Sequence, residues 1–170
     1  KRKLQFKFIH ISTDEVYGSL NEFDKFKESS KYDPRSPYSA SKAASDHLVK
    51  AWYHTYGLPV IVTNSSNNYG PWQFPEKLVP LTIFNGVNNK SIDIYGDGSN
   101  IRDWLFVHDH CSAIIKVMGE NRFGEVFNIG SGDEKTNLQI VEKILEKMEV
   151  TEDLIQFVED RLGHDWRYSL

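Results

Sequence analysis

The sequence lacks several features that would place it in a specialised class of protein. Cys111 is its one cysteine among 170 residues, which excludes an internal disulfide framework and favours a reducing compartment. No apolar run approaches the ~18 residues of a membrane-spanning helix, and residues 1–4 lack the apolar core of a signal peptide. The formal net charge of -4 is not the basic excess of a nucleic-acid binder. These absences predict a cytoplasmic globular protein that binds neither membrane nor nucleic acid.

What the sequence does contain is the composition of a folded domain and a regular alternation of predicted elements. Charged residues make up 26% of it and the hydrophobic set 39%, which argues against disorder. Hydrophobic periodicity predicts strands near 6–11, 60–63, 92–95, 104–107 and 126–129, and helices near 39–56, 78–85, 109–118 and 138–147. This β-α-β-α-β-β-α-β-α order is typical of an α/β protein with helices packed on a sheet.

Two of the connecting stretches are predicted from their polar and turn-forming residues. The polar stretch 18–37 includes Pro34 and Pro37 and predicts an excursion over the surface. The stretch 67–71, with sequence NNYGP, predicts a turn.

Tyr38 and Lys42 lie four residues apart at the start of the first predicted helix, so they share one face of it. A cation beside a phenol stabilises the phenolate and lowers its pKa, which predicts that Tyr38 is a general base for a hydroxyl proton. The same spacing fits an exposed tyrosine and a solvated lysine that happen to lie one turn apart. The pattern alone does not decide between these interpretations.

Thr13, Asp14 and Glu15 follow the first predicted strand. Chemistry in open α/β sheets collects beyond the carboxyl ends of the strands, so this position favours a functional role. Two adjacent carboxyls in different environments can divide the acid and base roles between them, one protonated and the other ionised. The alternative is a solvated acidic turn.

Four segments together resemble the extended short-chain dehydrogenases/reductases and, within them, the nucleotide-sugar 4,6-dehydratases. They are 8–18, 38–42, 67–71 and 101–109, and the resemblance extends over essentially the whole chain. The most specific match is Thr13-Asp14-Glu15, because related 4-epimerases and decarboxylases have a hydroxyl residue there without the acidic pair.

The resemblance implies an α/β fold that is the C-terminal half of a Rossmann-like enzyme, truncated at both ends, with a small substrate-binding region. Residues 1–66 and 101–130 would form mainly the Rossmann-type core with the catalytic residues. Residues 67–100 and 131–170 would form mainly the nucleotide-sugar-binding region. The family also implies a homodimer.

The resemblance implies a lyase reaction with NAD as cofactor. Tyr38, helped by Lys42 and Thr13, would take the proton of the sugar 4-hydroxyl while hydride passes to NAD. Glu15 would then remove the proton on carbon 5, and a protonated Asp14 would donate to the departing 6-hydroxyl. Hydride returning to carbon 6 would give a 4-keto-6-deoxy sugar.

The resemblance further implies which residues bind the two ligands. Those for NAD are Ser12, Tyr38, Lys42 and Asn68. Those for the nucleotide sugar, expected to be dTDP-glucose, are Thr13, Asn67, Lys77, Leu78, Asp93, Ile94, Tyr95, Arg102, Asn137, Arg161, His164 and Asp165. We expect no metal site, because His108 and His110 point in different directions and have no third ligand at suitable spacing.

Gly18 is the only glycine before Tyr38, so the sequence lacks the glycine-rich phosphate loop expected ahead of that position. The GSG stretch at 130–132 is followed by Lys135 where a third glycine should stand, so it is not a dinucleotide fingerprint. We therefore expect the chain alone to be inactive, and its first strand to present an exposed sheet edge.

Several alternatives remain open at this point. The chain could be a nucleotide-sugar 4-epimerase, a decarboxylase, another 4,6-dehydratase, or a non-catalytic fragment that binds a nucleotide sugar. On the first predicted helix, the apolar stripe of Leu48, Trp52 and Tyr56 fits a helix-pair interface and packing on its own sheet equally well.

Overall fold

The structure, a computed structural model, describes residues 6–170, so residues 1–5 of the predicted core region lie outside it. Over the described residues the chain alternates between strands and helices. The elements are β1 (Phe8–Thr13), α1 (Pro37–Tyr56), β2 (Val60–Ser65), β3 (Asn67–Tyr69), α2 (Leu78–Val87), β4 (Ile92–Tyr95), β5 (Ile101–Phe106), α3 (Val107–Gly119), β6 (Val126–Ile129), β7 (Glu134–Thr136), α4 (Asn137–Met148) and β8 (Ile155–Val158). Short 3-10 helices cover Asp14–Tyr17 and Glu152–Leu154.

The central sheet has the order β1-β2-β6 and is parallel throughout. All six residues of β2 are buried, as expected for a β-branched run in the middle of a parallel sheet. Thr13 pairs with Ser65 in register. The carboxyl ends of β1 and β2 therefore meet at one edge, and the residues that follow them lie together.

Two smaller sheets complete the fold. In one, β5 pairs in parallel with β3 and antiparallel with β7; in the other, β4 pairs in parallel with β8. The strands β3, β7 and β8 were not predicted. β3 and β7 have only three residues each, too few for a period-2 pattern to stand out, and the sequence of β8, IQFV, does not alternate between apolar and polar residues. The predicted turn at 67–71 is thus β3 followed by Gly70.

The helix α1 begins and ends as its sequence dictates. Ser36 and Ser39 form a reciprocal capping box with Pro37 in the first turn, and Gly57 ends the helix in the left-handed conformation at φ 68°. On its outer face Leu48, Trp52 and Tyr56 are 63%, 53% and 69% exposed. The interpretation that this stripe packs on its own sheet is therefore wrong.

Two apolar clusters lie on different sides of the site. One consists of Val16, Tyr17, Phe26, Ala43 and Tyr168, and the other of Ile92, Ile94, Val141 and Leu145. Phe26 corrects the prediction that 18–37 is only a surface excursion, because this stretch returns to the core. The second cluster joins α4 to β4 below the binding region.

The outer edge of β1 has no neighbouring strand among the described residues, and Phe8 and Ile11 on it are 41% and 47% exposed. This agrees with the exposed sheet edge that was expected. No helix in the described part of the chain is long and apolar enough to cross a membrane.

Candidate active site

A cavity of about 590 Å³ opens where β1 and β2 end. It brings together sixteen predicted site residues from both ends of the chain: Ser12, Thr13, Asp14, Glu15, Tyr38, Asn67, Asn68, Lys77, Leu78, Asp93, Ile94, Tyr95, Arg102, Asn137, Arg161 and His164. Two of the predicted residues, Lys42 and Asp165, do not line it. The cavity therefore unites the candidate catalytic and binding positions.

Seven further residues line the cavity and were not predicted: Ser65, Ser66, Gln73, Phe74, Glu76, Leu81 and Trp104. The two serines could have been found from their position, since Ser65 is the last residue of the buried strand β2 and Ser66 follows it directly. For Leu81 and Trp104 the sequence offers no such signal, because each simply belongs to a predicted helix or strand.

Asp14 lies in the 3-10 helix that follows β1, with 1% of its surface exposed. Thr13 Oγ1 donates to Asp14 Oδ1 at 3.3 Å, while Oδ2 has no hydrogen-bond partner among the described residues. Burial, reinforced by the neighbouring charge of Glu15, raises the pKa of Asp14 to about 8. Asp14 is therefore mainly protonated at neutral pH, as its expected role as an acid requires.

Glu15 differs from its neighbour because three cations face it. Burial raises the pKa of Glu15, but the charges of Arg102, Arg161 and Lys77 oppose that rise. Only one cation, Arg102, opposes the rise at Asp14, together with the hydrogen bond from the Thr13 hydroxyl. Two adjacent carboxyls thus occupy different electrostatic environments, which is the arrangement that separates an acid from a base.

Tyr38 requires a correction. Burial, and then the charges of Glu15 and Asp14, raise the pKa of Tyr38, whereas the sequence analysis predicted that Lys42 would lower it. The ammonium group of Lys42 donates to the main-chain oxygen of Ile11 at 2.8 Å. Lys42 thus ties α1 to β1, and Glu15 is the main charged neighbour of the phenol.

Arg102 is only 4% exposed, and most of its donors are used by main-chain oxygens. Nη1 donates to Ile101 O at 2.7 Å and Trp166 O at 3.2 Å, and Nη2 donates to Asp165 O at 2.9 Å. The Arg102 guanidinium also lies 4.4 Å from the ring centroid of Tyr168. Arg102 therefore fixes the C-terminal segment while its charge acts on the two acidic groups.

The predicted residue Asp165 serves the same segment. Its Oδ2 accepts from Tyr168 Oη at 2.5 Å, and the residue is 7% exposed. In this structure its carboxylate thus holds the chain in place behind the cavity. The neighbouring His164 does line the cavity, and its Nδ1 lies 2.8 Å from Asp160 Oδ1.

The accessible cations of the cavity are Lys77 and Arg161, both of them exposed. Lys77 immediately precedes α2, and Asn137 is the first residue of α4. The start of α2 has no side-chain cap, whereas the first three amides of α4 already bond to Asn100, Gly98 and Thr136. One open helix start and two cations on the wall of the same cavity therefore form a site suited to an anionic group such as a diphosphate.

Comparison with known proteins identifies the family to which the chain belongs. The family model described as GDP-mannose 4,6 dehydratase matches residues 1–165. A curated dTDP-glucose 4,6-dehydratase of Xanthomonas campestris is 52% identical over 99% of this chain and 51% of its own length. The enzyme of Haemophilus influenzae is 56% identical over 99% of this chain and 54% of its own length. The chain spans about half the length of the curated relatives it matches.

Solved structures give the same result. The dTDP-glucose 4,6-dehydratase of Bacillus anthracis in complex with NAD superposes with a TM-score of 0.92 at 52% identity, over 96% of this chain and 52% of that one. The Streptomyces venezuelae enzyme with NAD bound gives a TM-score of 0.94 at 45% identity, over 96% of this chain and 51% of that one. A UDP-glucose 4-epimerase of Thermus thermophilus reaches a TM-score of 0.90 at only 26% identity, over 96% of this chain and 55% of that one. Backbone likeness therefore does not separate the two reactions.

Proposed function

The chain belongs to the GDP-mannose 4,6-dehydratase family, and on that premise we propose that it contains the catalytic residues of a dTDP-glucose 4,6-dehydratase. Relatives that are 52% to 56% identical to it have this name. The observation that supports the dehydratase most directly is the pair of adjacent carboxyls, with Asp14 buried and Glu15 faced by three cations. A 4-epimerase removes no water and has no need of such a pair.

We assign the proton transfers to three side chains at the carboxyl end of β1 and the start of α1. Tyr38 accepts the proton of the sugar 4-hydroxyl, and Glu15 removes the proton on carbon 5 while Asp14 donates to the 6-hydroxyl as it departs as water. Once hydride has reached carbon 6, Glu15 returns a proton to carbon 5. Each transfer by a positioned acid or base contributes roughly 10²- to 10⁴-fold in rate. The pKa of about 8 at Asp14 keeps its proton available at neutral pH.

NAD, when bound, supplies the hydride acceptor for carbon 4 and the hydride donor for carbon 6, and its oxidised nicotinamide is cationic. The cavity fits its polar end, because Ser66 Oγ and Gln73 Oε1 are buried without partners among the described residues, and both residues line the cavity beside Asn68. Ser12 and Asn68 would hold that end. The positive charge of the oxidised nicotinamide, if it lay near Tyr38, would oppose the burial and the Glu15 charge that raise the pKa of the phenol.

We propose that the nucleotide sugar is bound by the two accessible cations and by the start of α2. Lys77 and Arg161 would bind the diphosphate, with Asn137 and Leu78 lining the same mouth. Arg102 would act through its charge and through the segment it holds. The Asp93-Ile94-Tyr95 strand lies on the wall of the same cavity.

We also propose that the protein forms a homodimer through the outer face of α1 and works in the cytoplasm. Leu48, Trp52 and Tyr56 form an exposed apolar stripe on that face, in which the rings of Trp52 and Tyr56 are tilted by 41° with their centroids 4.7 Å apart. The free and exposed thiol of Cys111 fits a reducing compartment.

The decisive experiment supplies the full-length protein with dTDP-glucose and NAD and identifies the product by NMR. We expect dTDP-4-keto-6-deoxyglucose without net consumption of NAD. An epimerised or decarboxylated sugar would contradict the proposal. For the 170-residue chain alone we expect weak NAD binding and negligible turnover, and normal activity from that chain would contradict this expectation.

A further inference from the structure

Arg167 is a buried arginine that the proposed reaction does not use. Its exposed fraction is 5%, and it does not line the cavity. Nε and Nη2 donate to the two carboxylate oxygens of Glu134 at 2.7 and 2.9 Å. Nη1 donates to the main-chain oxygens of Asn21 and Asp24 at 2.7 and 2.8 Å. The guanidinium therefore spends most of its N–H donors inside the protein rather than on a ligand.

Glu134, on β7, is matched to this arginine. Its Oε1 also accepts from Ser169 Oγ at 2.7 Å. Burial would raise the pKa of Glu134, but the hydrogen bonds from Arg167 and Ser169 and the charge of Arg167 lower it, so the carboxyl is ionised. A two-point bond between a guanidinium and a carboxylate fixes orientation as well as distance, which a lysine ammonium cannot do.

The main chain next to this arginine joins the same parts of the molecule. Residues 167–170 bond to β5 on one side, and on the other they accept from the amides of Leu20 and Phe26, each at 3.0 Å. The stretch 19–26 is therefore held by main-chain bonds and by the guanidinium together. It follows the 3-10 helix Asp14–Tyr17 after a single residue, so the chain just beyond the catalytic carboxyls is anchored to residues 167–170.

A second path leads from Arg167 to the same 3-10 helix through its neighbour Tyr168. The Tyr168 ring is 4% exposed and belongs to the apolar cluster that contains Val16 and Tyr17 of that helix. If residues 167–170 loosened, this ring would withdraw and water would reach Asp14, which is 1% exposed in the closed arrangement.

We propose that Arg167 is a positioning residue for the two catalytic carboxyls, because its bonds to Glu134 and to the stretch 19–26 keep the 3-10 helix closed against water. This rests on the proposed function, in which Asp14 is the acid and Glu15 the base. Loss of the guanidinium should therefore impair the proton transfers.

Ligand binding does not depend on Arg167. Arg102 and Ile101 donate to the main-chain oxygens of residues 165 and 166, so this part of the chain has its own anchor. The cavity-lining residues of the same region precede that anchor in the sequence. A change at position 167 should thus act on kcat and leave the affinities for NAD and dTDP-glucose unchanged.

The test compares variants of the full-length protein by steady-state kinetics and calorimetry. Arg167→Met removes the bonds to Glu134 and to the stretch 19–26, and we expect kcat to fall about 10²-fold with both Kd values unchanged, as when catalytic groups are misplaced by about 1 Å. Arg167→Lys should lose nearly as much, because it keeps the charge without the fork. A normal kcat in Arg167→Lys would overturn the positioning role, since the charge alone would then suffice.

The matched control is Arg122→Met. Arg122 also pairs with a glutamate, Glu125, but both side chains are exposed, so the change should leave kcat and both affinities as they are. A loss in the control equal to that in Arg167→Met would overturn the proposal.

The pH profile of kcat separates positioning from a general loss of stability. Asp14 is faced by Glu15 on its own helix, by Arg102 and Asp103 on β5 and by Tyr38 on α1, all of which the variant retains. Water admitted to Asp14 would lower the pKa of its carboxyl, so the pH above which kcat falls should move down by about one unit. A reduced kcat with an unshifted profile would overturn the proposal.

Hydrogen exchange tests the inference without turnover, in the ligand-free full-length protein. Exchange over residues 14–18 and 19–26 should be faster in Arg167→Met and unchanged in Arg122→Met, and equal rates in the two would overturn the positioning role. If Arg167→Met does not fold, Glu134→Gln, which keeps one acceptor oxygen, should show the same changes to a smaller extent, and no change there would also overturn it. If the unaltered protein does not convert dTDP-glucose, the proposed function fails, and the exchange rates still decide whether Arg167 holds the 3-10 helix.

Discussion

At the end of β1, Asp14 has 1% of its surface exposed and a pKa raised to about 8, whereas Lys77 and Arg161 across the cavity are exposed to solvent. The catalytic region thus withdraws an ionisable group from water, and the binding region leaves its cations accessible. Acid catalysis at neutral pH needs desolvation to hold the proton. Capture of a diphosphate needs donors that a ligand can reach.

The two regions also differ in what supports them. Behind the catalytic residues Asp46 is fully buried, and its Oδ2 accepts from Ser12 Oγ at 3.0 Å and Tyr32 Oη at 2.8 Å. This hydrogen-bonded network ties α1 to the end of β1. Behind the binding residues lies the apolar cluster of Ile92, Ile94, Val141 and Leu145. The catalytic side therefore has a buried hydrogen-bonded network in addition to its apolar cluster of Val16, Tyr17, Phe26, Ala43 and Tyr168, whereas the cluster behind the binding side is entirely apolar.

The contrast between the catalytic and binding regions would fail most completely if Asp14 were not the acid. Asp14→Asn keeps the shape of the side chain and removes the proton donor, so we expect kcat to fall about 10³-fold. Reduced cofactor should accumulate, because oxidation at carbon 4 does not need Asp14. Stopped-flow absorbance of the reduced nicotinamide and product NMR measure both effects. Asp109→Asn, an exposed acid on α3, is the control, and a normal kcat in Asp14→Asn would refute the assignment.

Packing in the binding region is tested next. Leu145 is fully buried in the apolar cluster with Ile92, Ile94 and Val141. Leu145→Ala should therefore lower the free energy of unfolding by about 3 kcal/mol, because it removes buried apolar surface and leaves a cavity. Urea unfolding of the full-length protein measures this value. Ile115→Ala, at a 69% exposed position on α3, should change it by less than about 0.5 kcal/mol. Equal effects would mean that the cluster is not the support we describe.

The pH dependence of stability sharpens the contrast at Asp14. Its pKa in the folded chain lies above the unfolded value of 3.8, so the folded state holds the extra proton. The stability that Asp14 contributes is therefore complete below that value and is lost as the pH rises toward about 8. Relative to Asp14→Asn, the protein should lose about 2–3 kcal/mol between about pH 5 and about pH 7.

Denaturant unfolding of both proteins across that range measures the difference, with Asp109→Asn expected to follow the unaltered protein. Parallel stability curves for the unaltered protein and Asp14→Asn would show that Asp14 is not desolvated as described.

The smallest expected effect concerns an exposed cation. Lys77→Ala should raise the KM for dTDP-glucose about tenfold with little change in kcat, because Lys77 would bind the diphosphate equally in ground and transition states. The effect should shrink at high salt, since an exposed charge is screened. Lys116→Ala on α3 is the control in steady-state kinetics. A fall in kcat with unchanged KM would move Lys77 into the catalytic group.

Much of the site could be predicted because its residues stand in short, contiguous motifs. Thr13-Asp14-Glu15 follows a clear strand, and Tyr38 begins a clearly amphipathic helix, so local pattern places them. What could not be predicted depends on partners far along the chain. The bonds of Arg102 go to residues 165 and 166, and His110 meets Asn68 across 42 positions.

The pKa of Tyr38 shows the same limit. The helix that places Tyr38 and Lys42 one turn apart was predicted correctly. The position of the Lys42 ammonium group was not, because the main-chain oxygen of Ile11 that accepts from it belongs to β1. Likewise, nothing in the polar stretch around Phe26 indicates that this ring returns to the core. Local pattern places residues on elements, whereas electrostatic effects depend on which elements meet.

The uncovered side of β1 has a practical consequence for anyone who handles the 170-residue chain. Phe8 and Ile11 lie along a strand that has no neighbouring strand on its outer side among the described residues, and such an edge is a template for a strand from another molecule. We expect preparations of this chain to form oligomers as they are concentrated, visible as rising light scattering. Solubility, rather than unfolding, would then set the upper limit for its biophysical study.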